Sequence, residues 1–167
     1  ATFSLGTAIA TSATSLVGLT AIDVNSDGKL DAVGIHRLNQ LGVTNVSVLQ
    51  NRGVSTPPLL TLLGAKTQQV NPSAVGSGDF NRDGLPDLLI GGRTANGNNG
   101  LISTAINQGN GRFAAGTSVF TPTGGEPKPS AADFNGDGFL DVVVVDGPVS
   151  QGGGDLFMYR GLSDGGI

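Results

Sequence analysis

Hydrophobic residues along this chain come in short runs that Gly, Asn, Asp and Pro repeatedly cut off. Three runs are nearly continuous: DAVGI at 31–35, DLLIGG at 87–92 and DVVVVDG at 141–147. Runs too short for a helix, rich in β-branched residues or Leu and bounded by glycine, predict buried strands. A second set, VTNVSVLQN (43–51), LISTAIN (101–107) and LFMYRG (156–161), alternates and predicts further strands. After turns such as NQGNGRF (107–113) or LSDGGI (162–167) come LLTLL (59–63) and GTSVFT (116–121). LVGLTAID (16–23), SAVGSGDF (73–80) and PSAADF (129–134) complete the series. No segment holds a 3.6-residue apolar period over two turns, so the only helical turn expected covers 36–41.

A nine-residue string recurs between these runs: DVNSDGKLD at 23–31, DFNRDGLPD at 79–87 and DFNGDGFLD at 133–141. The first aspartates, Asp23, Asp79 and Asp133, stand 56 and then 54 residues apart. A period of this length signals an array of equal units. Four short antiparallel strands per unit predict all-β, propeller-type blades. A β-solenoid is the alternative, though its coils are usually shorter. Phe113-Ala-Ala-Gly116 aligns with Phe3-Ser-Leu-Gly6, and Asn110-Gly111-Arg112-Phe113 with Asp164-Gly165-Gly166-Ile167. The expectation is one repeat domain over 1–167, with repeats near 3–56, 57–112 and 113–167. Three blades do not close a ring. Two copies forming a six-bladed ring, a longer open assembly, or a piece of a larger propeller are the alternatives.

Composition narrows the function. Charged residues are 13%, about half the usual ~25%, and Gly is 28 of 167. With 38% hydrophobic content this fits a loop-rich β fold and not disorder. Cysteine is absent, which removes disulfides and thiolate metal sites. Nine of the thirteen acids lie in the strings, and Lys and Arg form no cluster, so a nucleic-acid face is not expected. No apolar window approaches the ~18 residues of a membrane span. ATFSLGTAIA at the start lacks the features of a signal peptide, as a processed secreted chain also would.

Each string is D-x-N-x-D-G-x-x-D, a way to surround a hard cation with oxygen. Asp133, Asn135, Asp137 and Asp141 occupy positions 1, 3, 5 and 9, Gly138 makes the turn, and Phe139 offers a carbonyl at position 7. Asp23, Asn25, Asp27, Lys29 (carbonyl) and Asp31 match them, as do Asp79, Asn81, Asp83, Leu85 (carbonyl) and Asp87. A bidentate carboxylate at position 9 makes six protein oxygens, suited to Ca²⁺, which takes six to eight at about 2.3–2.6 Å. Mg²⁺ prefers a stricter octahedron with more water, and Zn²⁺ wants His or Cys. The first six positions also fit an EF-hand, but position 12 is Gly34, Ile90 or Val144, not an acid, and the exits are β-like. Such residues also make ordinary metal-free turns. Three copies, each crowding three carboxylates that repel one another, favour metal. Three Ca²⁺ would shift the formal charge from −4 to +2. Arg82 at position 4 and Pro86 at position 8 make the second string the least regular.

Other residues carry less. His36, the one histidine, has no Ser or Cys motif beside it, so no catalyst is expected; a surface or strand-end place suits it. Asn45-Val46-Ser47 fits a glycosylation sequon. Phe80 and Phe134, second in their strings, are expected in the core between blades. Tyr159 and Arg160 suit an exposed strand pair, with sugar or peptide contact as the alternative. GGR (91–93) and QGGG (151–154) lack a phosphate-loop lysine.

The strings, the apolar strand after each, Phe-Ala-Ala-Gly at 113–116 and Asn-Gln-Gly-Asn-Gly at 107–111 together resemble FG-GAP/VCBS-type β-propeller repeats. Those form blades of integrin α-subunit heads and of many secreted bacterial and fungal proteins. The resemblance implies calcium in each loop, a loop that joins a blade's first and second strands, and usually about seven blades. Asn51-Arg52-Gly53-Val54 departs from the family's N-G-x-F turn, and no intact Gly-Ala-Pro element occurs. The expected function is a non-catalytic, calcium-binding extracellular module for recognition, adhesion or self-assembly, as a homo-oligomer or part of a larger propeller. Its partner would be an extracellular protein, a glycan or further copies, met at flat faces or at loops 91–100 and 147–154. A carbohydrate-binding lectin and an accessory domain of a secreted polysaccharide-degrading enzyme are the alternatives; no paired-carboxylate site is evident.

Overall fold

The computed structural model describes residues 15–37, 44–53, 60–67, 70–94, 97–147, 154–162 and 166–167. These hold eleven strands and no helix: β1 (Ser15–Ile22), β2 (Asp31–Arg37), β3 (Thr44–Asn51), β4 (Leu60–Thr67), β5 (Val70–Gly78), β6 (Asp87–Thr94), β7 (Gly100–Asn107), β8 (Phe113–Phe120), β9 (Lys128–Ala132), β10 (Asp141–Asp146) and β11 (Asp155–Tyr159). The expected all-β class is borne out. His36 and Arg37 belong to β2, and the rest of the expected helical turn, 38–41, lies outside the described residues.

The strands form three antiparallel sheets in chain order, β1-β2-β3-β4, β5-β6-β7-β8 and β9-β10-β11. Among the described residues the third has three strands where four were expected. By the Phe3–Phe113 alignment, the counterpart of β8 falls near 3–10, outside the described residues. The strings lie between the first and second strands of each sheet, as expected. A repeat frame cut at the β7–β8 turn leaves each sheet's last strand in the next repeat.

Packing explains the unbroken apolar runs. Val33, Ile35, Val46 and Val48 of the first sheet pack against Leu88, Ile90, Leu101 and Ala105 of the second. Leu89 and Ile102, pointing the other way, meet Val142 and Val144 of the third. The middle sheet is therefore buried on both faces, so β6 needs apolar residues at consecutive positions. The inner strands run closest, with β5 beside both β1 and β9. Glycine permits this approach: a Cβ on Gly18 would lie 3.0 Å from Val75, and Leu140 occupies the space a Cβ on Gly78 would need. Pro72, which has no N–H for a ladder, sits at a register shift in β5. Among the described residues, no helix is long and apolar enough to cross a membrane.

Candidate metal loops

The three strings share one set of hydrogen bonds, to which the first adds the Asn25 N–H donating to Asp23 Oδ1 (3.4 Å) and the third the Gly136 N–H donating to Asp133 Oδ1 (2.7 Å). At position 5, the N–H of Asp27 donates to Asp23 Oδ1 (3.1 Å) and Asn25 Oδ1 (3.3 Å). Asp83 does the same to Asp79 (3.1 Å) and Asn81 (3.1 Å), and Asp137 to Asp133 (3.2 Å) and Asn135 (2.8 Å). The glycine N–H at position 6 donates to the other oxygen of the first aspartate, at 2.7 Å from Gly28, 2.9 Å from Gly84 and 2.8 Å from Gly138. The N–H of position 7 donates to Oδ1 of position 5, at 2.9 Å from Lys29, 2.8 Å from Leu85 and 2.9 Å from Phe139. Sharing one N–H draws the position 1 and position 3 side-chain oxygens together.

Two left-handed residues bend each loop. The glycines at position 6 have φ of 80°, 85° and 87°. Position 4 is also left-handed, at 57° in Ser26, 62° in Arg82 and 77° in Gly136. Only the third string carries glycine at both, so position 4 could not be read from the residue types.

The aspartate at position 9 has a second duty that the spacing did not reveal. Asp31, Asp87 and Asp141 are buried, at 1%, 0% and 0% exposure. In each, Oδ2 accepts the N–H of position 2: Val24 (3.1 Å), Phe80 (2.9 Å) and Phe134 (3.2 Å). Oδ1 accepts an N–H twenty residues on: Asn51 (2.6 Å), Asn107 (2.8 Å) and Gly161 (2.9 Å). These carboxylates clasp loop, second strand and the end of the third. Two asparagines join the clasp. Asn51 Nδ2 donates to the Leu30 carbonyl at 3.3 Å, and buried Asn107 Nδ2 to the carbonyls of Pro86 and Val24, each at 3.1 Å. Asn107 thus ties the first loop to the second. The signal that could have found them is Asn-x-Gly, at 51–53 and 107–109, each twenty residues past an aspartate. Arg82, lying 4.9 Å from the Phe139 ring centroid, ties the second loop to the third.

The electrostatics are those of crowded carboxylates. Burial pushes the Asp87 carboxyl above its ordinary range; the N–H groups of Asn107 and Phe80 pull it back, and the negative Asp83 raises it further. The Gly138 N–H, aided by those of Gly136, Asp137 and Asn135, holds Asp133 below its ordinary range against desolvation. Desolvation also acts on Asp27, but Lys29 and Asn25 outweigh it and lower its carboxyl. Lys29 Nζ stands 3.2 Å from Asp27. No ion pair reaches the carboxylates of the second and third strings among the described residues.

The donor set fits a hard cation, being all oxygen. Positions 1, 3 and 5 are presented together at the loop surface, with the position 7 carbonyl next in the chain. Each position 9 oxygen accepts one N–H and keeps a second acceptor site. Among the described residues, no three acidic or histidine side chains form a group able to hold a metal, and each position 9 carboxylate is hydrogen-bonded to two backbone N–H groups.

Elsewhere, Phe80 is core as expected, but Phe134 is 52% exposed, which corrects the sequence reading. Phe80 lies between the second and third sheets, whereas no described sheet covers Phe134. His36, near the end of β2, is buried and not on the surface, with neither ring nitrogen hydrogen-bonded. Asn45 is a β3 residue paired with His36 and Lys66. Tyr159 packs on the core while Arg160 is exposed.

Successive antiparallel meanders, each with the same aspartate loop between its first two strands, define a β-repeat protein. Residues 79–144, from the second loop into β10, match the family described as FG-GAP-like repeat. The resemblance to that repeat family is thereby borne out over this stretch. No curated protein matches the chain in sequence.

Proposed function

We propose that the chain is a calcium-stabilised, propeller-type repeat module that works outside the cell in recognition, adhesion or assembly and catalyses no reaction. One observation carries the reading. Three loops built on one hydrogen-bond plan gather carboxylates that, in two of the three, no ion pair reaches among the described residues. A repulsive cluster kept in triplicate is explained by an external divalent ion. Asp23, Asn25, Asp27 and Asp31 with the Lys29 carbonyl would hold one; Asp79, Asn81, Asp83 and Asp87 with that of Leu85 a second; Asp133, Asn135, Asp137 and Asp141 with that of Phe139 a third. The ion would supply structural charge compensation, fixing loops that already join adjacent sheets through Asn107 and through Arg82 and Phe139.

Affinity sets the compartment. At roughly millimolar calcium and a Kd of about 10⁻⁵–10⁻⁴ M, each site adds roughly 1–3 kcal/mol. Three such sites rival the ~5–15 kcal/mol net stability of a domain. Cytosolic calcium would leave them largely empty. Thermal unfolding in millimolar calcium, in equal magnesium and in chelator tests the reading. The midpoint should rise with calcium well beyond its rise with magnesium; equal midpoints in calcium and chelator would remove it.

A further inference from the structure

Both sheet–sheet contacts obey one rule. Residues two and four past the last aspartate of a string (Val33 and Ile35; Leu89) face the following sheet. Residues one and three past it (Leu88 and Ile90; Val142 and Val144) face the preceding one. The second residue of the string goes with the following face: Val24 is 0% and Phe80 5% exposed. In the third sheet this face has no sheet against it among the described residues. It carries Phe134, Val145, Leu156 and Met158, exposed by 52%, 51%, 70% and 62%, with Val145 opposite Leu156 and Val143 opposite Met158 in the ladder.

The first sheet shows the complementary side. Leu16 and Leu19 of β1, opposite His36 and Gly34, and Leu30 of the loop are 52%, 63% and 65% exposed. His36, Ser47 and Leu49 on the same side are buried, so the open strip runs along the inner strand and the loop tip. That is the edge where internal sheets run closest, β5 packing beside both β1 and β9. Leu140, the counterpart of Leu30, lies with the Phe80 ring over Gly78. These two surfaces hold seven of the nine large apolar side chains exposed among the described residues. Each is the chemical equivalent of a surface already buried inside the molecule.

We infer that the open face of the third sheet docks on the β1 strip of a second copy of this chain, head to tail, with Phe134 meeting Leu30 as Phe80 meets Leu140. The two surfaces differ, so the contact is heterologous, closing a ring or extending a filament. The inference deepens the assembly part of the function proposed above and rests on it, but it uses the repeat geometry and not the metal.

Light scattering on the full chain with calcium present tests it, using Leu19→Glu and Met158→Glu. Both side chains are exposed, so the fold should tolerate the change. Wild type should exceed the monomer mass and grow with concentration, and each variant alone should be monomeric. An equimolar mixture should recover a one-to-one dimer, because one variant keeps its third-sheet face and the other its β1 strip. A wild type that stays monomeric at its highest soluble concentration overturns the inference. So does a Leu19→Glu protein that still associates, since that means third-sheet faces pairing with each other. Calcium binding measured on the same samples separates the two readings. Metal bound without assembly removes the interface alone, and assembly without metal removes the calcium reading alone.

Discussion

At the scale of single residues, the aspartates divide between two tasks. Those at positions 1 and 5 stay at the loop surface, while Asp31, Asp87 and Asp141 are buried on backbone N–H groups. The spacing D-x-N-x-D-G-x-x-D shows that all are present, but not that the last one clasps a strand end twenty residues away, because no local pattern records a long-range partner. Asp87→Asn keeps one acceptor and sets an amide NH₂ against the backbone N–H of Phe80 or Asn107. It should cost about 1–3 kcal/mol in denaturant unfolding even without calcium; an unchanged stability in chelator would deny the clasp. Position 4 was equally hidden, since Ser26 and Arg82 give no hint of their positive φ. Ser26→Gly should raise stability by about 0.5–1 kcal/mol, read as a higher midpoint, whereas a loss would show that Ser26 makes an unrecognised contact.

At the scale of elements, the strands were the most legible part. Expected runs at 101–107 and 16–23 meet β7 and β1 within a residue at each end, because period and turn residues are local signals. Exposure of a whole face was not local. Phe80 and Phe134 hold the same position in nearly identical strings, and only the presence of a neighbouring sheet separates them. The same logic separates Leu89 from Val145, both on following faces. Leu89→Ala, in the fully buried middle sheet, should cost about 2–5 kcal/mol, while Val145→Ala should stay within about 0.5 kcal/mol for the isolated chain. Equal costs in urea unfolding would mean that the third sheet's outer face is covered.

At the scale of the whole molecule, the period of the strings announced an array, and three sheets follow one another along the chain. What the period does not carry is how the outer faces are satisfied, since that depends on surfaces and not on spacing. The loops bind neighbouring sheets through Asn107 and through Arg82 over Phe139, so charge compensation there should act on the assembly as a unit. Calorimetric titration of calcium into chelator-stripped full chain is the most direct test. Three ions should bind per chain, falling to two in Asp27→Ala, Asp83→Ala or Asp137→Ala. No binding heat at millimolar calcium, with the strands intact by circular dichroism, would contradict it.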